Sequence, residues 1–273
     1  MHRLKGENLI KKHRQIAEVL TTRIASHKDV AGILYIGGLV RNFADKHSDI
    51  DMIALLADKD ERLRKKLRQI GSEEQERTGI DIDLEIHFFE DFRKRKWAEL
   101  NKWDFSHAEI VFDPDGSVRK LFKEKLKVSK DFWLKRIVIF GEYLKWYCCP
   151  PKKGVGTMVE AWVDRGDVVS AHYCLNYSVD LMIKVIFALN KEFVPPQKWR
   201  MHYSYGLKWL PQGYETLLKE ATIVKSLTGR DLQRRLEAAR EIWSGMLPKI
   251  KKEIGLTPAT LSKLYVEKVL RQS

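Results

Sequence analysis

The sequence predicts an α/β (α+β) fold in two parts, a small strand-bearing unit over residues 1–116 followed by an all-helical unit over residues 117–273. Three observations predict it. GIDIDLEIHFF, residues 79–89, alternates without a break, with Ile80, Ile82, Leu84 and Ile86 against Asp81, Asp83, Glu85 and His87. That is the period of a strand with one apolar and one polar face. Two earlier apolar runs, AGILYIG at 31–37 and IDMIALL at 50–56, have strand length. After about residue 117 the strand signals stop, and apolar residues recur at helical spacing.

Taken in order, residues 7–27 carry Leu9, Ile10, Ile16, Ala17, Leu20 and Ile24 on one helical face. The two apolar runs follow as strands, separated by a glycine turn at Gly37 and Gly38. Residues 59–77 are highly charged but place Leu63, Leu67 and Ile70 on one side, which fits a surface helix. After the alternating strand, HAEIVFDPDG at 107–116 reads as a further strand ending in a turn. Segments 117–147, 158–190, 214–228 and 230–254 read as helices. CCPPKKGVG at 148–156 and FVPPQKW at 193–199 read as breaks, because a Pro pair does not continue a helix.

With 273 residues, 44% of them hydrophobic, the chain is long enough for a sizeable core. No apolar run approaches the roughly 18–20 residues needed to span a bilayer. The opening MHRLKGENLIKKHRQ lacks the apolar block of a signal peptide, so a cytoplasmic protein without membrane partners is expected. Cys148, Cys149 and Cys174 have no metal-type spacing and read as reduced thiols. Net charge is +13 and uneven: residues 1–112 hold 21 Lys+Arg against 20 Asp+Glu, and residues 113–273 hold 29 against 17. A basic half can attract a polyanion, although dispersed Lys and Arg on helices are most often a solvated surface.

The chemistry concentrates in LYIGGLVRNFADKHSDIDMIALL, residues 34–56. Asp49 and Asp51 are two residues apart on a strand, so they project from the same side. Adjacent carboxylates repel unless a cation sits between them. Mg²⁺ takes hard oxygen ligands, commonly one or two carboxylates plus substrate phosphates. The acidic face of 80–88 offers a third carboxylate, and such a set can hold two ions for metal-assisted phosphoryl or nucleotidyl transfer. Gly37 and Gly38 let the main chain turn sharply and let a phosphate approach it. Taken singly, a Gly-Gly turn or an Asp-x-Asp at a strand edge is ordinary; it is their conjunction between two strands that carries weight.

These residues resemble the signature of the DNA polymerase beta-like nucleotidyltransferase superfamily. Ile36-Gly37-Gly38, a ten-residue spacer, then Asp49-Ile50-Asp51-Met52 fits its pattern, and Ser48 before Asp49 matches a common feature of it. The resemblance covers about residues 30–115. More loosely, RGDVVSAHYCLNYSVDLMIKVIFALNKEFVPPQKW resembles the branch in which antibiotic nucleotidyltransferases carry a helical C-terminal domain.

The resemblance implies a small mixed-sheet catalytic domain and transfer of a nucleoside monophosphate to a hydroxyl, with Mg²⁺ and release of pyrophosphate. AMP from ATP is the expected donor chemistry, and a small hydroxylated molecule the expected acceptor. RNA or protein as acceptor, and a nucleotide-binding regulatory protein of the same fold, are the alternatives. By the same resemblance Asp49 and Asp51 ligate metal, and Gly37, Gly38 and Ser48 contact the nucleotide. The third carboxylate is Glu85 or Asp83, with Glu85 favoured by its distance to the next acidic turn. Lys198 and Arg200, flanking Trp199 after the Pro pair, are candidate triphosphate contacts. Asp180, Asn190 and Lys191 are candidate border residues, and His87 a rim residue. There is no GxxxxGK[ST] and no GxGxxG before a helix, which removes P-loop and dinucleotide-binding readings.

Overall fold

The computed structural model of the chain describes residues 4–152, 154–255, 257–265 and 267; Lys153 in the 148–156 break and the two ends of the expected domain ranges lie outside the described residues. Among the described residues, those from 4 to 128 form one compact unit and those from 129 onward another.

The N-terminal unit opens with α1 (Ile10–Ala25), whose Ile16, Ala17, Leu20 and Ile24 are buried as their spacing requires. β1 (Val30–Tyr35) leads into a four-residue helix, α2 (Gly37–Val40), and then β2 (Ile50–Leu56). α3 (Glu61–Thr78) starts at Asp60, whose carboxylate accepts from the Arg62 and Leu63 amides at 2.8 and 3.0 Å. Such a cap contributes about 1 kcal/mol. β3 (Ile82–Phe88), α4 (Phe89–Lys94), α5 (Glu99–Ser106), β4 (Glu109–Phe112) and α6 (Ser117–Leu126) complete the unit.

The sheet is mixed, in the order β3-β2-β1-β4, with β1 antiparallel to both neighbours and β2 parallel to β3. Each face carries its own core. Ile50, Met52, Ala54 and Leu56 of β2 face α1 and α3, while Ile53 and Leu55 face Phe92, Trp97, Phe105, Leu121 and Phe122. The period-two alternation of β2 thus sends one set of side chains to each helical layer. Asp51 belongs to the second set.

The expected boundary at 116/117 moves to 128/129. α6 belongs to the sheet because Val118, Leu121 and Phe122 bury into the second core. Gly32 permits the approach: a Cβ there would stand 2.5 Å from the Val118 side chain. The expected run 117–147 is therefore two helices. The chain is extended at Lys127, and the Ser129 hydroxyl accepts from the Phe132 amide at 3.3 Å to start the next helix.

Among its described residues the second unit has helices and no strand: α7 (Lys130–Tyr147), α8 (Met158–Asp164), α9 (Val168–Leu189), α10 (Gln197–Ser204), α11 (Tyr214–Thr222), α12 (Gly229–Ile254) and α13 (Pro258–Tyr265). α9 is its centre, apolar around most of its circumference and packed by α7, α8, α10, α11 and α12. A helix apolar on nearly all sides is one surrounded by others. Arg235 of α12 is fully buried, and its guanidinium is taken up by the Ala221 carbonyl, His172 and Asn176. The three cysteines are free and buried. Among the described residues no helix is long and apolar enough to cross a membrane.

Candidate active site

The carboxylates gather at the end of the sheet where β1 leaves and β2 and β3 begin. Asp51 and Asp83 are direct partners across the parallel β2–β3 pair. Glu85 pairs with Ile53 and His87 with Leu55, further along the same face. Asp49 stands exposed just before β2.

The Asp51 carboxyl is pushed up to about 6, first by burial and then by the charge of Asp49, with Asp83 adding to the rise. Arg41 and a hydrogen bond from the Gly38 N–H oppose it. Asp83 is also raised, by burial and then by Glu85, Asp49 and Asp81. Mutual repulsion of this kind marks groups that share one small volume.

Glu85 behaves differently. Its carboxylate is held below the usual range by a 2.7 Å hydrogen bond with His87 Nε2, with help from the charge of Arg95. Strand register sets Asp83, rather than the favoured Glu85, directly beside Asp51.

Gly37 and Gly38 form the first turn of α2, where the sequence suggested a plain turn. Their contributions differ. Gly37 has φ +58°, and a Cβ there would overlap the Asp51 carboxylate. Gly38 has room for a Cβ, whose nearest neighbour would be the Phe43 carbonyl at 3.4 Å, and its working part is the amide that donates to Asp51. Gly37→Ala therefore combines a left-handed backbone with a collision in the site. It should destabilise the chain by about 2 kcal/mol or displace Asp51; a variant with wild-type melting temperature and wild-type nucleotide affinity would refute the close approach.

Ser48 is occupied with its own turn. Its hydroxyl lies 3.0 Å from the Asp45 amide and 3.1 Å from the Asp45 carboxylate. His13 of α1 joins the Ser48 carbonyl to the Leu9 carbonyl, each at 3.1 Å from a ring nitrogen. The structure thus gives Ser48 a positioning place at the entry to β2.

Arg41 is the residue that sequence reasoning missed. Its side chain is 13% exposed, 3.9 Å from Asp104 and 5.8 Å from the Trp103 ring centroid, and its charge bears on Asp51. α5 supplies both holding residues, and no sequence signal separated that helix from the loop around it.

Among the candidates of the second unit, Arg200, Asp180 and Asn190 have structural partners. Arg200 is not a loop cation: it lies on α10, 8% exposed, paired with Asp180 and donating Nε–H to the Pro195 carbonyl at 3.3 Å. Asp180 also holds Lys184 at 2.8 Å. The Pro pair ends the preceding segment but does not impede α10, which begins immediately after Pro196, because first-turn amides need no helical partner. Asn190 locks to Trp209, amide to carbonyl at 2.9 Å and carbonyl to amide at 2.8 Å. Lys191 and Lys198 are exposed, and Trp199 is half-buried. Removing Asp180 leaves Arg200 with one ion-pair partner fewer in a buried setting. Asp180→Ala should therefore destabilise the chain by about 2–3 kcal/mol; a urea midpoint equal to wild type would contradict a structural pair.

Among the described residues, no three or more His, Cys, Asp and Glu side chains are grouped so as to hold a metal ion. The hard oxygens of Asp49, Asp51 and Asp83 still suit Mg²⁺, which commonly takes one or two protein carboxylates and completes its shell with phosphate and water.

No protein-family model and no curated protein matches the sequence. Among solved structures, the chain is similar to a nucleotidyltransferase-like protein from Exiguobacterium sibiricum, with TM-score 0.43 and 12% identity over 88% of this chain and 77% of that one. It is also similar to a toxin–antitoxin structure with AMP-PNP, with TM-score 0.33 and 15% identity over 47% of this chain and 95% of that one. A third is a tri-AMPylated HEPN toxin from Shewanella oneidensis in complex with its MNT antitoxin, with TM-score 0.30 and 14% identity over 49% and 97%.

Proposed function

We propose that the chain is a Mg²⁺-dependent nucleotidyltransferase that moves AMP from ATP to a hydroxyl of a small molecule. The observation that carries this reading is the placement of Asp51 against Gly37 and beside Asp83, with Asp49 close enough to help push the Asp51 carboxyl to about 6. A fold that keeps like charges together in a half-buried place maintains an unfavourable arrangement that a cationic ligand relieves.

In this reading one or two carboxylates from Asp51, Asp83 and the neighbouring Asp49 would hold Mg²⁺, which would neutralise and orient the triphosphate. Arg41 stands beside the carboxylates as a fixed cation for phosphate oxygens. The acceptor oxygen forms a bond to the α-phosphorus as the bond to the bridging β-phosphate oxygen breaks, and pyrophosphate leaves. The hydroxyl proton passes to a carboxylate, and Asp83 has the raised affinity that such a base needs.

The test is incubation with α-labelled ATP, CTP, GTP and UTP and Mg²⁺, against aminoglycosides, lincosamides, total RNA and the protein itself. Label should move to an acceptor with wild type and not with Asp49→Asn. Absence of transfer together with absence of Mg²⁺–ATP binding would overturn the reading.

A further inference from the structure

We propose that the opposite end of the sheet carries a second ligand site, for a planar anion of about mononucleotide size. β2 and β3 are parallel neighbours, yet the chain leaves their C-terminal ends toward opposite faces. After β2 it enters α3, whose Leu63, Leu67 and Ile70 pack in the α1-side core. After β3 it enters α4, whose Phe92 packs in the other core. Two divergent exits between adjacent parallel strands open a crevice beyond the carboxyl edge, the place where open α/β sheets bind ligands. A cavity of about 520 Å³ lies there, within the usual range for small-molecule sites.

Its lining gives the ligand's chemistry. Lys59, Arg64 and Arg95 reach it from both exits, with Glu61 and Asp91 as the opposing charges, so the lining carries one excess cation. Two guanidiniums are backed by rings, Arg64 at 5.3 Å from the Phe88 centroid and Arg95 at 5.0 Å from Phe92. A guanidinium held over a phenyl ring keeps N–H donors for an anion and can stack on a further planar group. His87 adds a third ring, 5.4 Å from Phe92. The internal pairs are open to exchange: Lys59 and Asp91 meet at 3.0 Å with side chains 67% and 51% exposed, and exposed pairs contribute little.

This site is separate from the carboxylates. His87 lies four residues along β3 from Asp83, roughly 13 Å at strand rise, and the three cations repel the Mg²⁺ that the other end would attract. The assignment does not depend on the transferase reading.

The test is a calorimetric titration of the full chain in EDTA with AMP, adenosine and inorganic phosphate. AMP should bind saturably. The double variant Lys59→Gln, Arg95→Gln should weaken binding by about tenfold or more, the effect of about 1.4 kcal/mol, while Asp49→Asn should leave it intact. The His87 ring-proton NMR signal, identified by its loss in His87→Gln, should shift as AMP is added. Absence of saturable AMP binding to folded wild-type protein would overturn the site. So would AMP binding that survives the double variant, which would place AMP elsewhere. Phosphate or adenosine binding as tightly as AMP would overturn the planar-anion assignment.

Discussion

Asp51→Asn should lower Mg²⁺-dependent nucleotide transfer by roughly 10³-fold or more and, at the same time, stabilise the metal-free protein above pH 6. The first effect follows from losing a charged ligand that supplies several kcal/mol of transition-state stabilisation, at about 1.4 kcal/mol per factor of ten. The second follows from linkage. The Asp51 carboxyl is pushed up to about 6 in the folded chain, against 3.8 for an ordinary aspartate. The folded state therefore prefers the protonated form. That preference is harmless below the unfolded value and becomes a penalty as pH rises through the interval from 3.8 to about 6, remaining in full above it. Asparagine carries no charge and escapes the penalty, while its carbonyl can still accept from the Gly38 amide. A shift of about two units corresponds to at most about 3 kcal/mol, and half-burial reduces the expected gain to about 1–2 kcal/mol. Unfolding curves of wild type and variant should coincide near pH 3 and separate between pH 4 and 6. Adding Mg²⁺ and nucleotide should stabilise wild type and leave the variant unmoved. Equal or lower stability of the variant at pH 8 would show that the carboxylates are not in conflict.

Why the fold was readable from the residues, and the site less so, comes down to the range of the interactions. β2, β3, α1 and α3 follow from local periodicity and caps, such as Leu63, Leu67 and Ile70 behind Asp60. The carboxylate pair is local too, since Asp49 comes directly before β2 and Asp51 is its second residue, close enough for the charge of Asp49 to bear on Asp51. The boundary at 128 was hidden because Val118, Leu121 and Phe122 show helical spacing whichever unit they bury against; Gly32, far away in sequence, makes the room. Arg41 was hidden in the spacer because its holders, Trp103 and Asp104, lie on a short helix with weak periodicity. Arg200 looked available because its partner, Asp180, is twenty residues away on another helix. What the sequence lacked in each case was the identity of a distant neighbour.

The third carboxylate shows the same limit, and it can be tested by a pair of substitutions. Asp83 and Glu85 share one face of β3, so alternation along the strand does not choose between them. Pairing across the strands does. Asp83 is the partner of Asp51, whereas Glu85 is the partner of Ile53 and carries a hydrogen bond with His87. The electrostatics agree: Asp83 is among the main causes of the rise of Asp51. A carboxylate held low by an imidazole is also a poor proton acceptor, whereas one raised by its neighbours is a better one. Asp83→Asn should therefore lower the transfer rate by roughly 10²–10⁴-fold, the scale of a lost acid–base group or ligand, with a smaller effect on nucleotide binding because Gly37, Gly38, Arg41, Asp49 and Asp51 remain. Glu85→Gln keeps the length and one acceptor atom for the contact with His87, and should retain transfer within a few-fold. The measurement is the single-turnover rate of both variants at saturating Mg²⁺–ATP. An active Asp83→Asn beside an inactive Glu85→Gln would mean that the acceptor hydroxyl is activated one step further along β3, at Glu85, and that Asp83 is only a flanking charge.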